Sequence, residues 1–152
     1  AARILLRRVL GRTRKPARRC RELLAAHGIG LTDADCAVLL AEVTGVLDDR
    51  TWARDLAEIR FERRKDGPLA IRQWLGQRGF DPETVRQAIA GLGELADPVE
   101  TACGLLEKRF SRSETSHSVH QKAWALLARR GYPAETTRKA LRRFFGGIEE
   151  YD

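Results

Sequence analysis

The chain has 152 residues, 43% of them apolar and 32% charged, and a net charge of +7. That apolar share can fill a core in one domain-sized unit, which excludes wholesale disorder, while no run approaches a membrane span and no secretory apolar segment stands at the start. Cys20, Cys36 and Cys103 are odd in number and never spaced Cys-x-x-Cys, so they read as reduced thiols in a cytoplasmic protein and not as disulfides, redox motifs or metal ligands.

The predicted elements are helices throughout. Residues 3–10 (Arg-Ile-Leu-Leu-Arg-Arg-Val-Leu) read as the last turns of a first helix, broken by Gly11-Arg12-Thr13-Arg14-Lys15-Pro16. Pro16 starts a helix to about His27, with Cys20, Leu23 and Leu24 as its apolar face. Thr32 is placed to cap the next, with Asp35 three residues on as a short capping box. That helix carries Cys36, Val38, Leu39, Leu40 and Val43 and ends at Gly45.

Asp48 then caps a helix whose face is Trp52, Leu56 and Ile59 with Ala53 beside them, and Asp49 adds negative charge at its positive end. This helix fades by Lys65, because Gly67-Pro68 follows and Pro68 suits the first turn of the next helix. Ile71, Trp74 and Leu75 form the following stripe. Gly79 ends it as a left-handed cap with Phe80 folding back, and Asp81-Pro82-Glu83 opens a helix carrying Val85, Ala88 and Ile89. Asp97 caps a helix with Leu105, Leu106 and Phe110. Ser111 to Ser118 is a polar loop, with His117 and His120 read as solvated. Residues 121–130 are helical, and Tyr132-Pro133 turns into a last helix carrying Ala140, Leu141 and Phe144. Gly146-Gly147 ends it before the acidic tail Glu149-Glu150-Tyr151-Asp152.

These elements repeat. With Gly79 set against Gly131, at an offset of 52, Leu75 meets Leu127, Arg78 meets Arg130, Phe80 meets Tyr132 and Arg86 meets Arg138. Arg72 meets Trp124, at a position that is at least partly exposed. Ala53, Leu56 and Arg60-Phe61 match Ala102, Leu105 and Arg109-Phe110. A weaker copy ends at Gly28-Ile29, where Leu24 stands for Leu75. A spacing of about fifty residues predicts an all-α, elongated and curved tandem array of three three-helix repeats, at 1–46, 47–95 and 96–152.

Asp48-Asp49-Arg50, the small Ala53, Arg60, Gly67-Pro68 before Ile71-Arg72, and Arg78-Gly79-Phe80 resemble the signature of the RecX family. Leu127-Ala128-Arg129-Arg130-Gly131-Tyr132 resembles that family's last repeat, so Gly131 joins Asp48, Asp49, Gly67, Pro68 and Gly79 as a structural signature. The first repeat departs from the pattern, with Pro16 and Arg19-Cys20 where the family carries a Ser cap followed by Glu-Leu. The resemblance implies tandem three-helix repeats that bind along the RecA–DNA filament and restrain its activity.

The charge is uneven. Residues 1–30 carry a net +8, residues 31–66 a net −3, residues 67–110 a net −1 and residues 111–152 a net +3, and 23 of the 28 basic residues are Arg. Arginine grips phosphate or carboxylate bidentately, while codon bias and solvated helix faces give the same composition without any ligand. The expected partner or DNA contacts are Arg12, Arg14, Lys15 and Arg18 in the first repeat, Arg60, Arg72 and Arg78 in the second, and Arg130, Arg138, Lys139 and Arg142 in the third.

No Gly-rich phosphate loop, Ser/His/Asp order or Cys/His nucleophile stands out. Helix capping accounts for Asp48 and Asp49 without a metal, so no enzyme and no cofactor are expected. The expected partner is the RecA filament, with weak single- or double-stranded DNA contact, no membrane, and a monomer when free. A second reading is a helix-turn-helix-like DNA-binding protein acting without RecA, and a third is a scaffold for another acidic protein.

Overall fold

Helix boundaries fall where caps and glycines put them. The computed structural model describes residues 13–114 and 116–146, and within them the chain is helical, with no strand. The predicted helix at 3–10, Arg12 and the acidic tail lie outside the described residues. In chain order the helices are α1 (Ala17–Ala26), α2 (Leu31–Val43), α3 (Asp49–Ile59), α4 (Pro68–Gln77), α5 (Pro82–Leu95), α6 (Pro98–Glu107), α7 (His117–Arg129) and α8 (Ala134–Phe145). The last turn of α3 widens into π geometry over Arg60–Arg64.

The repeat is visible in the backbone. α1, α4 and α7 end alike, each with a glycine at positive φ followed by an apolar residue whose N–H returns to a buried leucine. Ile29 donates to the Leu24 carbonyl at 3.1 Å, Phe80 to Leu75 at 3.3 Å and Tyr132 to Leu127 at 3.1 Å. The left-handed turn satisfies carbonyls that would otherwise be orphaned, and it folds the apolar residue back onto the helix. Leu24, Leu75 and Leu127 are fully buried, so the weaker first copy is a true copy at this position.

Each repeat has its own core. Cys20, Leu24, Val38 and Leu47 form the first; Ala53, Phe61, Ile71, Leu75, Phe80 and Leu92 the second; Leu106, Leu127, Tyr132, Ala140 and Phe144 the third. In repeats two and three the third helix packs on both others, α5 on α3 and α4, and α8 on α6 and α7. Three separate cores joined end to end make a tandem helical repeat.

Four expectations need correction. α2 begins at Leu31 with Gly30 as its cap residue and no side-chain cap. Thr32 therefore lies inside the helix, and Asp35 pairs instead with Arg21 at 3.0 Å. The inner face of α2 is Ala34, Val38 and Ala41, while Cys36, Leu39, Leu40 and Val43 lie exposed on another face. The inner face of α3 is Ala53, Ala57 and Phe61, with Trp52 and Leu56 half-buried at its edge and Ile59 exposed. Small residues there let α5 approach closely. His120 is buried, its ring edge-on to Phe145 at 4.3 Å. Because α7 starts at His117, His120 falls on the same face as Ala123 and Leu127.

Candidate partner-binding surface

Most of the motif residues sit in two joints between repeats. At the first, the Asp48 side chain accepts from the Thr51 N–H at 3.1 Å and caps α3, as its position predicts. Asp49 acts across the boundary. Its Oδ2 accepts the Ala17 N–H at 2.8 Å, so it caps α1 of the preceding repeat. Burial raises the Asp49 pKa, the bond from Ala17 opposes that shift, and the charges of Glu42 and Asp81 add to it. Arg14 completes the joint. It donates to the Asp48 carbonyl at 3.1 Å, and its guanidinium lies 4.6 Å from the centre of the Trp52 ring.

The second joint is made of backbone. The Gly67 N–H donates to the Arg130 carbonyl at 2.7 Å and the Leu69 N–H to the Gly131 carbonyl at 2.9 Å. Pro68 stands between these donors and has no N–H of its own to leave unpaired. The approach is too close for side chains. A Cβ on Gly131 would lie 2.3 Å from the Ala70 nitrogen, and one on Gly67 would lie 2.5 Å from the Gly131 carbonyl carbon.

Side chains lock this joint. Arg130 donates to the Arg64 carbonyl at 2.8 Å, and the Tyr132 hydroxyl donates to the Lys65 carbonyl at 3.0 Å. Lys65 holds a left-handed conformation, φ 56°, that turns its carbonyl into reach. Burial, with the Asp66 charge nearby, pushes the Tyr132 phenol up. At the centre is Asp66, buried, with Arg60 at 2.6 Å, Arg64 at 3.6 Å and Arg130 at 3.7 Å. Arg60 also lies against Trp74, 4.4 Å from the ring centre.

Three of the expected partner contacts, Arg14, Arg60 and Arg130, are therefore engaged within the molecule, and Arg60 and Arg130 keep only 17% and 36% of their side chains exposed. Asp66 was missed by sequence reasoning. The available signal was a lone acid following Arg63-Arg64-Lys65 and directly before Gly67-Pro68.

The remaining candidates lie on the surface. Arg78 stacks on Trp74, 4.7 Å from the ring centre. Arg18 pairs with Glu22 at 3.3 Å, Lys139 with Glu135 at 2.7 Å, and Lys15 reaches the Thr13 carbonyl at 3.5 Å. Arg72, Arg138 and Arg142 are exposed and make no side-chain hydrogen bond or close ion pair among the described residues, although the charge of Arg138 acts on Glu135. Gly79, at φ 95°, ends α4 and serves the helix turn alone. Trp124, opposite number of Arg72 in the third repeat, is 37% exposed.

Between repeats one and two runs a groove of about 480 Å³. Arg18 from α1 and Arg72 and Arg86 from α4 and α5 stand around a floor of Gly76, Phe80, Pro82 and Val85. Arg86 is held by Glu83 through two bonds of 2.6 and 2.8 Å, and this pairing draws the Glu83 pKa down to about 2. No group of His, Cys, Asp and Glu among the described residues is placed to hold a metal ion, and no described helix is long and apolar enough to cross a membrane.

Known proteins match along most of the chain. Residues 48–89 match the RecX second three-helix domain and residues 96–141 the RecX third three-helix domain. A regulatory protein RecX of Neisseria meningitidis serogroup C is 34% identical over 107 residues, 68% of this chain and 68% of that one. That of Chromohalobacter salexigens is 31% identical over 141 residues, covering 93% of this chain and 88% of the relative. The crystal structure of RecX from Lactobacillus salivarius superposes with a TM-score of 0.77 over 94% of both chains at 16% identity, which shows a shared fold.

Proposed function

The chain belongs to the RecX family of regulatory proteins, and on that premise we propose that it binds the RecA–DNA filament, along its groove, and hinders filament assembly or function. It does so as a binding module and not as an enzyme, with the repeats at 1–46, 47–95 and 96–152 as its binding units. The observation that carries this reading is the division of labour among the arginines. Arg14, Arg60 and Arg130 are engaged in joints that fix each repeat against the next, while Arg72, Arg138 and Arg142 face solvent with no side-chain hydrogen bond or close ion pair among the described residues. Stacked repeats with fixed joints present one long surface, which suits a partner that itself repeats. The acidic residues 31–66 keep intrinsic affinity for bare DNA modest by like-charge repulsion.

The test is co-sedimentation with RecA filaments on single-stranded DNA with a non-hydrolysable nucleotide, beside bare DNA and RecA alone at physiological salt. Pelleting with the filament alone, weakened by Arg72→Glu and Arg138→Glu, is the expected result. Arg130→Glu is the wrong variant here, because it breaks the joint. Equal pelleting with bare DNA, at steep salt dependence, would replace this reading with that of a DNA-binding protein acting on its own. No pelleting in any lane would remove the filament as partner.

A further inference from the structure

The groove between repeats one and two combines features that a merely solvated surface does not need. Its floor is apolar: Phe80 and Val85 are buried at its base. Its walls carry three guanidinium groups and no carboxylate. Arg18 and Arg86 are paired with Glu22 and Glu83 at the surface, and such exposed pairs exchange partners at little cost. Arg72 has no partner among the described residues. The volume, about 480 Å³, is that of a side-chain-sized to small-ligand site.

Gly76 keeps the groove open. It lies inside α4 in ordinary helical conformation, where glycine is less favourable than alanine, and a Cβ built on it meets nothing within 4 Å. Sterics do not require glycine at this position. A larger side chain would instead project into the space between the arginines.

We infer that this groove takes an acidic peptide segment of a protein partner, with one apolar side chain seated over Phe80 and Val85 and carboxylates on Arg72, Arg18 and Arg86. The inference rests on the reading that the chain regulates by binding a protein. Charge selects an anionic ligand, and the floor selects which one. Single-stranded nucleic acid binds by stacking bases on open aromatic faces, and the aromatic rings near this groove are already occupied. Phe80 packs edge-to-face with Trp52 at 5.0 Å, Trp52 carries Arg14, and Trp74 carries Arg60 and Arg78. An aliphatic or aromatic side chain flanked by carboxylates fits what remains.

The experiment uses the full chain and two fluorescein-labelled peptides of alternating Asp and Glu. One has a central Leu and the other a central Ser. Fluorescence anisotropy reads their affinities at moderate salt, with a labelled oligothymidylate as a third probe. Gly76→Phe fills the groove without changing charge, Gly76→Ala controls for the helix, and Arg72→Glu reverses the charge without filling space. The Leu peptide is expected to bind about tenfold tighter than the Ser peptide, the loss of one well-buried apolar contact. Gly76→Phe and Arg72→Glu should each weaken the Leu peptide by about tenfold or more, and Gly76→Ala, which adds a single methyl, by far less than Gly76→Phe. Equal binding of the two peptides, indifference to Gly76→Phe, absence of peptide binding, or oligothymidylate binding that Gly76→Phe abolishes would each overturn the inference. Circular dichroism and thermal melting of each variant separate lost binding from lost folding. Should a variant unfold, Gly76→Leu replaces it. Filament pelleting is scored in parallel. Peptide binding without filament pelleting would sink the filament reading and leave the groove assignment standing.

Discussion

Replacing Gly131 by alanine tests whether the second joint is as tight as its geometry. Gly131 sits at φ 83°, and its Cβ would stand 2.3 Å from the Ala70 nitrogen and 2.5 Å from the Ala70 Cβ. The left-handed conformation alone costs a non-glycine residue about 1–2 kcal/mol. The clash is with backbone, so α4 must move away. That movement breaks the Gly67-to-Arg130 and Leu69-to-Gly131 hydrogen bonds. An unsatisfied buried donor such as the Gly67 N–H costs about 1–3 kcal/mol. Reduced freedom of the unfolded chain returns about 0.4–1 kcal/mol. The net expectation is a loss of about 3 kcal/mol, within a range of about 1–5, set against the roughly 5–15 kcal/mol that holds a domain together. Gly79→Ala is the internal control. It has the same left-handed backbone, but its Cβ would meet only Arg19 Cβ, at an ordinary 3.8 Å. Its loss should stay near the backbone cost alone, about 1 kcal/mol. Urea unfolding followed by tryptophan fluorescence reads both, since Trp52 and Trp74 report the second repeat and Trp124 the third. Loss of the joint should also reduce cooperativity and lower the apparent m-value, because neighbouring repeats stabilise each other through their interfaces. Equal losses for the two variants would refute the reasoning.

Asp66→Ala should cost about 3–5 kcal/mol, because it leaves Arg60, largely buried, without its counter-charge. In double-mutant cycles its coupling to Arg60, at 2.6 Å, should exceed that to Arg130, at 3.7 Å; the reverse order would mean that the joint and not the ion pair is being measured. Asp49→Ala should destabilise by about 1 kcal/mol through loss of the cap on α1, and Asp49→Asn by less, since its amide oxygen can still accept from Ala17. The folded Asp49 carboxyl has a raised pKa, so its protonated form favours folding and that contribution is lost as pH rises through the folded pKa. Relative to Asp49→Asn, the native chain should lose stability as pH rises through its titration, and a difference that grows in the opposite direction would sink the assignment. A chromogenic disulfide at neutral pH should titrate one thiol quickly, that of exposed Cys36, and Cys36→Ser should remove the fast phase. Cys20 and Cys103 are buried, and burial pushes the Cys20 thiol up to about 11, so both should react only after unfolding; three fast thiols would contradict the packing.

The sequence was most legible where local chemistry decides the outcome. Asp48 and Asp97 cap the helices that follow them, and Gly79 and Gly131 end helices at positive φ, because each of these choices depends on a few consecutive residues. The repeat was legible because Leu75 and Leu127, with Phe80 and Tyr132, recur at one offset. Facing was harder. Trp52, Leu56 and Ile59 form the more apolar stripe of α3, yet Ala53, Ala57 and Phe61 face the core, because close approach of α5 favours small residues over large ones. Contacts between repeats could not be read at all. Nothing local says that Asp49 caps a helix 32 positions earlier in the chain, or that Asp66 draws in Arg130 from the next repeat.

That difference bears on where specificity can lie. The signature residues Asp49, Gly67, Pro68 and Gly131 serve the joints, and Arg60 serves them too. Changing them should alter how one repeat sits on the next, and with it the whole of the proposed binding surface at once. Surface residues between the joints act one at a time. A change at Arg72 or Arg138 should remove one charge and leave the array intact, as neither makes a side-chain hydrogen bond or a contact in a joint among the described residues. Loss of binding through a joint should therefore appear with loss of stability, and loss through Arg72 or Arg138 without it. Measuring both quantities on the same variants separates the residues that shape the surface from those that meet the partner.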